Sequence, residues 1–462
     1  MLTVINPSSL EAITDLPTDA ASAVETKVAK AHDLFCDKSR WLALHERVSL
    51  LKKLAEAMRP LKEELAKLVA QEGGKPLKDA RVEADRAVQG VELAVHALSE
   101  QAGEVIPLGM QPASKGLTGI TRPHPIGPVL AFSAFNHPLN LIVHQIIPAF
   151  AAGCPCIVKP ASDTPLSCLK LVALMHEVGI PADYVQTVIT EDLELAGKLV
   201  EDQRFAFFTF IGSAKVGWML RSKLAPGTRC ALEHGGVAPC FVTESADFDA
   251  AIPMIAKGGL YHSGQVCVST QRVFVHTAIF DAFKAALIEH VKTLKIGSAE
   301  DADSDLGPLI RTSEVDRVES WVDEAMELGA TCLLGGKREG KNYFQATLLE
   351  KVPEKAKLSH AEVFGPVMAL YPYTDLVDCI KHANDSPFAF QASLFSNDHH
   401  EIEAFYHHIE AATALVNRPT AFRDDVMPFA GLKQSGLGIG GIPYTLHDMQ
   451  IQKLLISNSY IK

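Results

Sequence analysis

Cys267 lies in GQVCVST, residues 264–270, a polar, glycine-flanked loop between a helical pattern and a β-rich one. The other cysteines sit in apolar runs. A thiol in such a loop, near helix ends, is placed for a lowered pKa and nucleophilic use; the plain alternative is a small buried residue. Glu233, in ALEHGGVAP at 231–239, ends an apolar strand and precedes two glycines. Its carboxylate therefore stands at a strand's carboxyl end, where open α/β sheets place their sites, although capping or ion pairing would also explain it. Asn136, in AFNHP at 134–138, occupies a strand-to-helix junction. Its amide can donate to a developing oxyanion or cap the helix that follows.

These residues need elements to hold them. Leu50, Leu51, Leu54 and Met58 recur at helical steps, and Leu61, Leu65 and Leu68 repeat the pattern after Pro60, so residues 19–101 read as helical. From Ile106 the texture changes. Short β-type runs at 127–133, 154–160, 184–190, 205–210 and 229–234 alternate with helical runs at 138–152, 165–178, 192–200 and 213–223. Such alternation predicts βαβ units and a parallel sheet covered on both faces. A second series starts near 236, with helices at 247–262, 278–294 and 312–328 and a strand at 271–276. The fold class is therefore α/β, with two parallel-sheet domains. Glycine clusters at Gly212–Gly217, Gly235–Gly236, Gly258–Gly264 and Gly431–Gly441 are candidate site loops, though turn chemistry accounts for most such clusters.

Composition narrows the partners. The 462 residues are 47% hydrophobic and 21% charged, as in an ordinary globular chain of two or three domains. A net charge of −12 argues against a polyanion partner, so no nucleic acid is expected. Nine is an odd count of cysteines, and the Cys154–Cys156 pair has no matching second pair, so no metal is expected. Alternation in CPCIVKP suggests instead that both thiols face one side of a buried strand. The start of the chain shows no export signal, and no run of 18 apolar residues occurs, so the protein reads as soluble, cytoplasmic and free of membrane. His399–His400 and His407–His408, near Glu401 and Glu403, read as a solvated helix face rather than a metal site.

FNHP, VKPASDTP, FIGSAKVG, LEHGGVAP, GQVC, EVFGPV and MPFAGLKQSG occur in an order and spacing that resembles the NAD(P)-dependent aldehyde dehydrogenase superfamily over essentially the whole chain. The separation of 34 residues between Glu233 and Cys267 is similar to the family's. The resemblance implies two Rossmann-like domains with a small β oligomerisation element. On that basis residues 1–106 and 126–236 form a cofactor-binding domain, 107–125 an oligomerisation hairpin, 237–446 a catalytic domain, and 447–462 a C-terminal oligomerisation strand. The apolar IQKLLI fits an edge strand pairing with another subunit, as a homodimer or homotetramer.

The resemblance also implies roles. Cys267 would attack a small-molecule aldehyde, with the Asn136 amide and the Cys267 N–H on the oxyanion, and hydride would leave for the nicotinamide. Glu233 would activate water against the thioester, releasing a free acid. Lys159 would reach the adenosine ribose, and Gly212 and Ser213 would open a helix facing the pyrophosphate, with Gly217 allowing close packing. Glu362 and Phe364 would hold the nicotinamide ribose and pack beside the ring. The G-x-x-x-x-G spacing departs from the usual dinucleotide fingerprint, as in this family.

Three departures stand out. Ser162 replaces a glutamate common in NAD-preferring members, so the cofactor is NAD or NADP, with NADP tolerated or preferred. His137 follows Asn136, and His234 follows Glu233, where other residues are usual; hydrogen-bonded structural roles are expected, with His137 also a candidate substrate contact. Arg423, before MPF, offers a planar donor fork for a carboxylate, phosphonate or sulfonate, so a small anionic or hydroxylated aldehyde is plausible. Pairing with Asp424 or Asp425 at the domain surface is the alternative. Rival activities are CoA-acylating oxidation, against which Glu233 speaks, and an idle binding or scaffold protein on the same fold.

Overall fold

Continuous apolar runs, rather than alternating ones, build the main sheets of the computed structural model, which describes residues 1–458. All four residues of Val129–Phe132 are buried, as a strand covered on both faces requires. The first sheet has six strands in the order Gly436–Leu437, Arg229–Glu233, Phe207–Ile211, Val129–Phe132, Cys156–Lys159, Val185–Thr187. All neighbours are parallel except the short Gly436–Leu437 edge. The chain runs outward from Val129–Phe132 to Val185–Thr187, then returns to the other side as Phe207–Ile211. The crevice where the order reverses is where open α/β sheets bind ligands. Asn136, Lys159, Gly212 and Glu233 all lie at or just beyond carboxyl ends of these strands.

The second sheet has seven strands, ordered Thr331–Leu334, Thr347–Glu350, Val367–Tyr373, Thr270–His276, Ala238–Val242, Gln391–Phe395, Thr413–Val416. It is parallel apart from the Thr331–Leu334 edge. A small antiparallel sheet joins Val105–Ile106, Thr118–Pro125 and Gln450–Ser457. Residues 459–462 of the expected terminal strand lie outside the described residues. Before that strand the chain has already returned to the first sheet: Gly436 and Leu437 pair with Glu233 and Leu232, and the helix Ile442–Asp448 packs on Asn140–Ala152.

The helical region is four helices, Ala21–Cys36, Leu44–Met58, Lys62–Gly73 and Leu77–Glu100, with a 3-10 turn at Pro60. Cys154 corrects one expectation: the strand starts at Cys156, and the buried Cys154 thiol precedes it and donates to the Met449 carbonyl at 3.3 Å. All nine cysteines are free. Among the described residues no helix is long and apolar enough to cross a membrane, and no group of three or more His, Cys, Asp or Glu could hold a metal ion. The four histidines of the helix His399–His408 are exposed.

The helix Phe248–Leu260 carries the chain to Cys267, and it lies unusually close to the second sheet. A Cβ on Gly259 would sit 2.1 Å from the Met368 sulfur and 2.8 Å from the Thr270 carbonyl oxygen. Gly259→Ala should therefore force the helix off the sheet and lower stability by about 1–3 kcal/mol. Urea unfolding monitored by circular dichroism measures this; an unchanged midpoint would mean that the packing gives way without cost.

Candidate active site

The loop bearing Cys267 is built by an unusual backbone path. After Leu260 the chain passes through left-handed conformations at His262 (φ 48°), Ser263 (φ 53°) and Gly264 (φ 71°). Only glycine suits the last, because a Cβ there would meet the Gly365 carbonyl at 2.0 Å. The strained turn is held from outside. Ser263 Oγ donates to the Gly307 carbonyl at 2.6 Å, while Gln265 donates to the His262 and Pro308 carbonyls and accepts from the Ile310 N–H.

Gln265 does a second thing. Its main-chain carbonyl accepts from Asn136 Nδ2 at 2.9 Å, which aims a buried amide at a point two residues before Cys267. Asn136 does not cap the helix Asn140–Ala152; no side chain from its own N-terminus does so. The second Nδ2 hydrogen is left for another acceptor.

Electrostatics ties Cys267 to three charged groups. Burial first, then the negative charges of Glu233 and Glu362, push its thiol well above the ordinary value. Arg423 and the cysteine's own N–H pull the other way. The expected lowering of the thiol pKa is thus reversed in direction, because burial and two carboxylates outweigh the single cation, Arg423. Burial also raises Glu233 to about 7, with Arg423 opposing. A carboxylate poised there can accept a proton near neutrality.

Arg423 is not a surface residue. Its side chain is 9% exposed, and its Nη1 donates to the Met427 carbonyl at 2.8 Å. The guanidinium lies 4.2 Å over the Phe429 ring. Asp424 is exposed, and Asp425 is already occupied: Arg86 binds it bidentately at 2.6 and 3.0 Å, and His144 Nε2 sits 2.9 Å away. Arg423 Nε reaches Asp425 only at 4.0 Å. The Arg423 charge thus feels Asp425 first, across that longer gap and inside the fold rather than at its surface, and then Glu233 and Cys267. His137 lies beside Tyr261, Nε2 to hydroxyl 3.3 Å. Burial, with Lys75 and Arg86 nearby, holds its pKa well below normal, so it is neutral.

The residues expected at the cofactor fit a dinucleotide. Lys159 is largely desolvated, donates to the Pro160 carbonyl at 3.5 Å, lies 5.8 Å over the Phe132 ring, and feels Asp163 and Glu191. Asp163 in turn lies 3.6 Å from Arg311. Ser162 contributes no carboxylate. Ser213 precedes the helix Ala214–Arg221 without capping it, which leaves its hydroxyl and the helix N-terminus for a ligand. Gly217 packs on His234: a Cβ would approach the ring to 2.0 Å. His234 Nδ1 meets the Gly212 carbonyl at 2.8 Å, in the structural role expected.

Glu362 accepts from the Gly236 N–H at 3.3 Å and rests on Gly235, where any Cβ would collide with its carboxylate. Phe364 adopts φ 43° and meets Phe135 edge-on at 5.8 Å. Gln265, Arg86 and Tyr261 carry no signal in the sequence that singles them out. Gln265 was in plain view within GQVC, but its bonds reach more than 40 residues away.

Burial raises Glu362 to about 8. A carboxyl whose folded pKa exceeds its unfolded value near 4.5 loses stability as pH climbs between the two values, and the full penalty stands above pH 8. Glu362→Gln should therefore raise Tm at pH 8.5 and do so much less at pH 5.5. A scanning-calorimetry pair at those pH values checks the sign, and a stabilisation larger at pH 5.5 would refute it.

Comparison with known proteins agrees with this geometry. The sequence profile of the Aldehyde dehydrogenase family matches residues 1–455. The 3-sulfolactaldehyde dehydrogenase of Priestia megaterium is 35% identical, covering 98% of this chain and 94% of the relative. A lactaldehyde dehydrogenase of Methanocaldococcus jannaschii is also 35% identical, covering 98% and 96%. Among solved structures, aldehyde dehydrogenase 21 of Physcomitrella patens, complexed with its reaction product succinate, superposes with a TM-score of 0.95 at 34% identity over 99% of this chain and 94% of that one. The glyceraldehyde-3-phosphate dehydrogenase of M. jannaschii, complexed with NADP, does so at 0.94 and 33%, over 99% of each chain. The family match over nearly the whole chain and the relatives above establish that the chain belongs to the aldehyde dehydrogenase family and is an enzyme that oxidises aldehydes to acids with NAD or NADP.

Proposed function

We propose that Cys267 is the nucleophile, Glu233 the general base and Asn136 the oxyanion donor, and that the substrate is a small aldehyde carrying an anionic or hydroxyl group. The observation that carries this reading is the buried Arg423, whose charge acts on both Cys267 and Glu233 while Asp425 is held by Arg86 and His144. The relatives named for sulfolactaldehyde and lactaldehyde, and the solved structure with succinate, support the same class.

In the first step Glu233 takes the thiol proton and the sulfur bonds to the aldehyde carbon. The carbonyl oxygen becomes an oxyanion held by the Asn136 amide and the Cys267 N–H. A raised thiol pKa means that this transfer speeds acylation, and a base near 7 makes it available; deacylation depends on the same base more heavily. Lys159, Ser213, the helix beyond it and Glu362 would hold NAD(P), with Phe364 beside the ring, and the bound cofactor would accept the hydride that leaves the substrate carbon. Glu233, once it has released the thiol proton to solvent, removes a proton from water, which attacks the thioester carbon, and returns that proton to the Cys267 sulfur as it leaves and the acid forms. NADP is accommodated because Ser162 puts no carboxylate at the ribose and Asp163 is engaged by Arg311.

The division into cofactor-binding segments at 1–106 and 126–236 and a catalytic segment at 237–446 is supported by the two sheets, except that Gly436–Leu437 and the helix Ile442–Asp448 pack with the first sheet's domain. Self-association through Thr118–Pro125 and Gln450–Ser457 is supported by the exposed Leu454, Leu455 and Ile456. Nine unpaired cysteines suit a reducing compartment such as the cytoplasm.

Two experiments test the reading. Glu233→Gln should accumulate an acyl-enzyme on Cys267 and lose the rise in kcat that the wild type shows as pH climbs through about 7. Intact-mass and peptide-mass measurement after mixing with aldehyde and NAD locates the acyl group; finding it on another cysteine defeats the assignment, and release that CoA alone restores points to acyl transfer. Arg423→Ala should cut kcat/KM for succinate semialdehyde about thirtyfold relative to butanal, as expected for loss of a ~2 kcal/mol charged contact. Equal losses on both aldehydes would leave Arg423 without a role in substrate choice.

A further inference from the structure

The loop that carries Asn136 and the loop that follows Lys159 each run into a helix that lacks a cap of its own. Leu139 and Pro165 occupy the two N-cap positions, and neither supplies a side-chain acceptor. A helix start leaves backbone N–H groups that must find partners when buried. Both helices find them in the same distant place, the hairpin of helices Lys62–Gly73 and Leu77–Glu100.

Glu72, fully buried, accepts from the Leu166 N–H at 2.6 Å, from the Ser167 N–H at 2.8 Å and from the Ser167 hydroxyl. Glu83, 1% exposed, accepts from the Leu139 and Asn140 N–H groups at 3.0 and 3.1 Å through one oxygen. Its other oxygen is paired with the buried Lys75. Between the two carboxylates, Gly73 packs into the notch formed by both loops. A Cβ there would stand 3.8 Å from the Phe135 carbonyl, 3.9 Å from Pro138 and 3.9 Å from Thr164.

We propose that Glu72 and Glu83 are positioning residues for two different parts of the reaction, with Glu72 fixing the cofactor-ribose loop 159–165 and Glu83 fixing the oxyanion loop 136–139. The division follows from connectivity. Glu72 binds the first turn of the helix that Lys159 and Ser162 lead into, and Glu83 binds the first turn of the helix that Asn136 leads into. Neither carboxylate reaches Cys267, so each acts only through the loop it holds. An ionised acceptor on two N–H groups is also stronger than a neutral one, which is why a carboxylate rather than an amide is suited to either place. The Glu83 arm rests on Asn136 as oxyanion donor; the Glu72 arm does not.

The test is a kinetic split in the full-length enzyme with NAD and lactaldehyde. Glu72→Gln should raise KM for NAD about tenfold and leave the single-turnover rate of NADH formation within about twofold, since cofactor contacts loosen while the oxyanion loop stays in place. Glu83→Gln should lower that rate tenfold or more with KM for NAD within about twofold, because a small misplacement at the reacting centre is costly. In the double variant with Asn136→Ala, the Glu83 change should have no further effect beyond about twofold. Should Glu83→Gln fail to fold with Lys75 stranded, the pair Lys75→Met, Glu83→Gln carries that arm. Equal changes in both constants for both variants would reduce the hairpin to a scaffold, and multiplying effects of Glu83→Gln and Asn136→Ala would separate Glu83 from the oxyanion. If Asn136→Ala alone leaves the rate unchanged, the role of Asn136 falls, and the Glu72 split still decides for or against the hairpin.

Discussion

A guanidinium held beside a thiol and a carboxylate, in a place from which most water is excluded, sets the terms for the rest of this site. Burial opposes every charge there, and the Arg423 charge persists because its favourable contacts are distributed: the Met427 carbonyl, the face of Phe429 and the longer-range pull of Asp425 and then Glu233. Asp425, 4.0 Å from Arg423, is shared with two closer partners. Against the burial that disfavours its charge, hydrogen bonds from His144 and Arg86 hold that carboxyl far below the usual range. Removing one partner from such a buried pair costs about 3–5 kcal/mol. Arg423 therefore shares its nearest carboxylate with Arg86 and His144, and the proposed attraction of a substrate anion rests on that sharing.

The same low-dielectric surroundings order the protons. Cys267 is driven upward by burial and by two carboxylates, and Glu233 and Glu362 are driven to about 7 and 8 by burial. A thiol that keeps its proton and a carboxylate ready to accept one form a matched pair only if they are close, and the thiol does feel the charge of Glu233. On the proposed roles, the nucleophile would be made by transfer to a neighbour rather than by standing ionisation. A group that activates sulfur in one half of a reaction is then free to activate water in the other.

How much of this is legible in the sequence depends on range. The parallel sheets could be read because burial on both faces writes continuous apolar runs, and the strand ends at Phe132, Lys159, Ile211 and Glu233 follow from the same runs. Cys267, Glu233 and Asn136 are recognisable because loop position and local residue type carry the signal. What could not be read is set by contacts across the chain. Arg86 and Asp425 are 339 residues apart, and Glu83 reaches Leu139 over 56. Nothing local marks those pairs. Arg423 was read beside Asp424 and Asp425 because sequence neighbours are all that a linear reading offers. The direction of the Cys267 shift was missed for a related reason: helix ends near the loop are visible, but the converging carboxylates come from other segments.

Stability and reactivity are in opposition at these carboxylates. Glu72, like Glu233, is raised to about 7 by burial, despite hydrogen bonds from Ser167 and Leu166. Each such group weakens the fold as pH rises from the unfolded carboxyl value toward its folded one. The helices that carry Glu72 and Glu83 join the sheet Val129–Phe132 and the helix Asn140–Ala152 in one continuous apolar core, which contains Leu65, Val69, Val91, Val129, Ile146 and Phe150. Burying those side chains supplies the free energy that ionised acceptors in the interior take away. The hairpin is therefore suited to hold charged acceptors against two loops: a less deeply packed element would admit water that competes for the carboxylates, and would lose the geometry they impose.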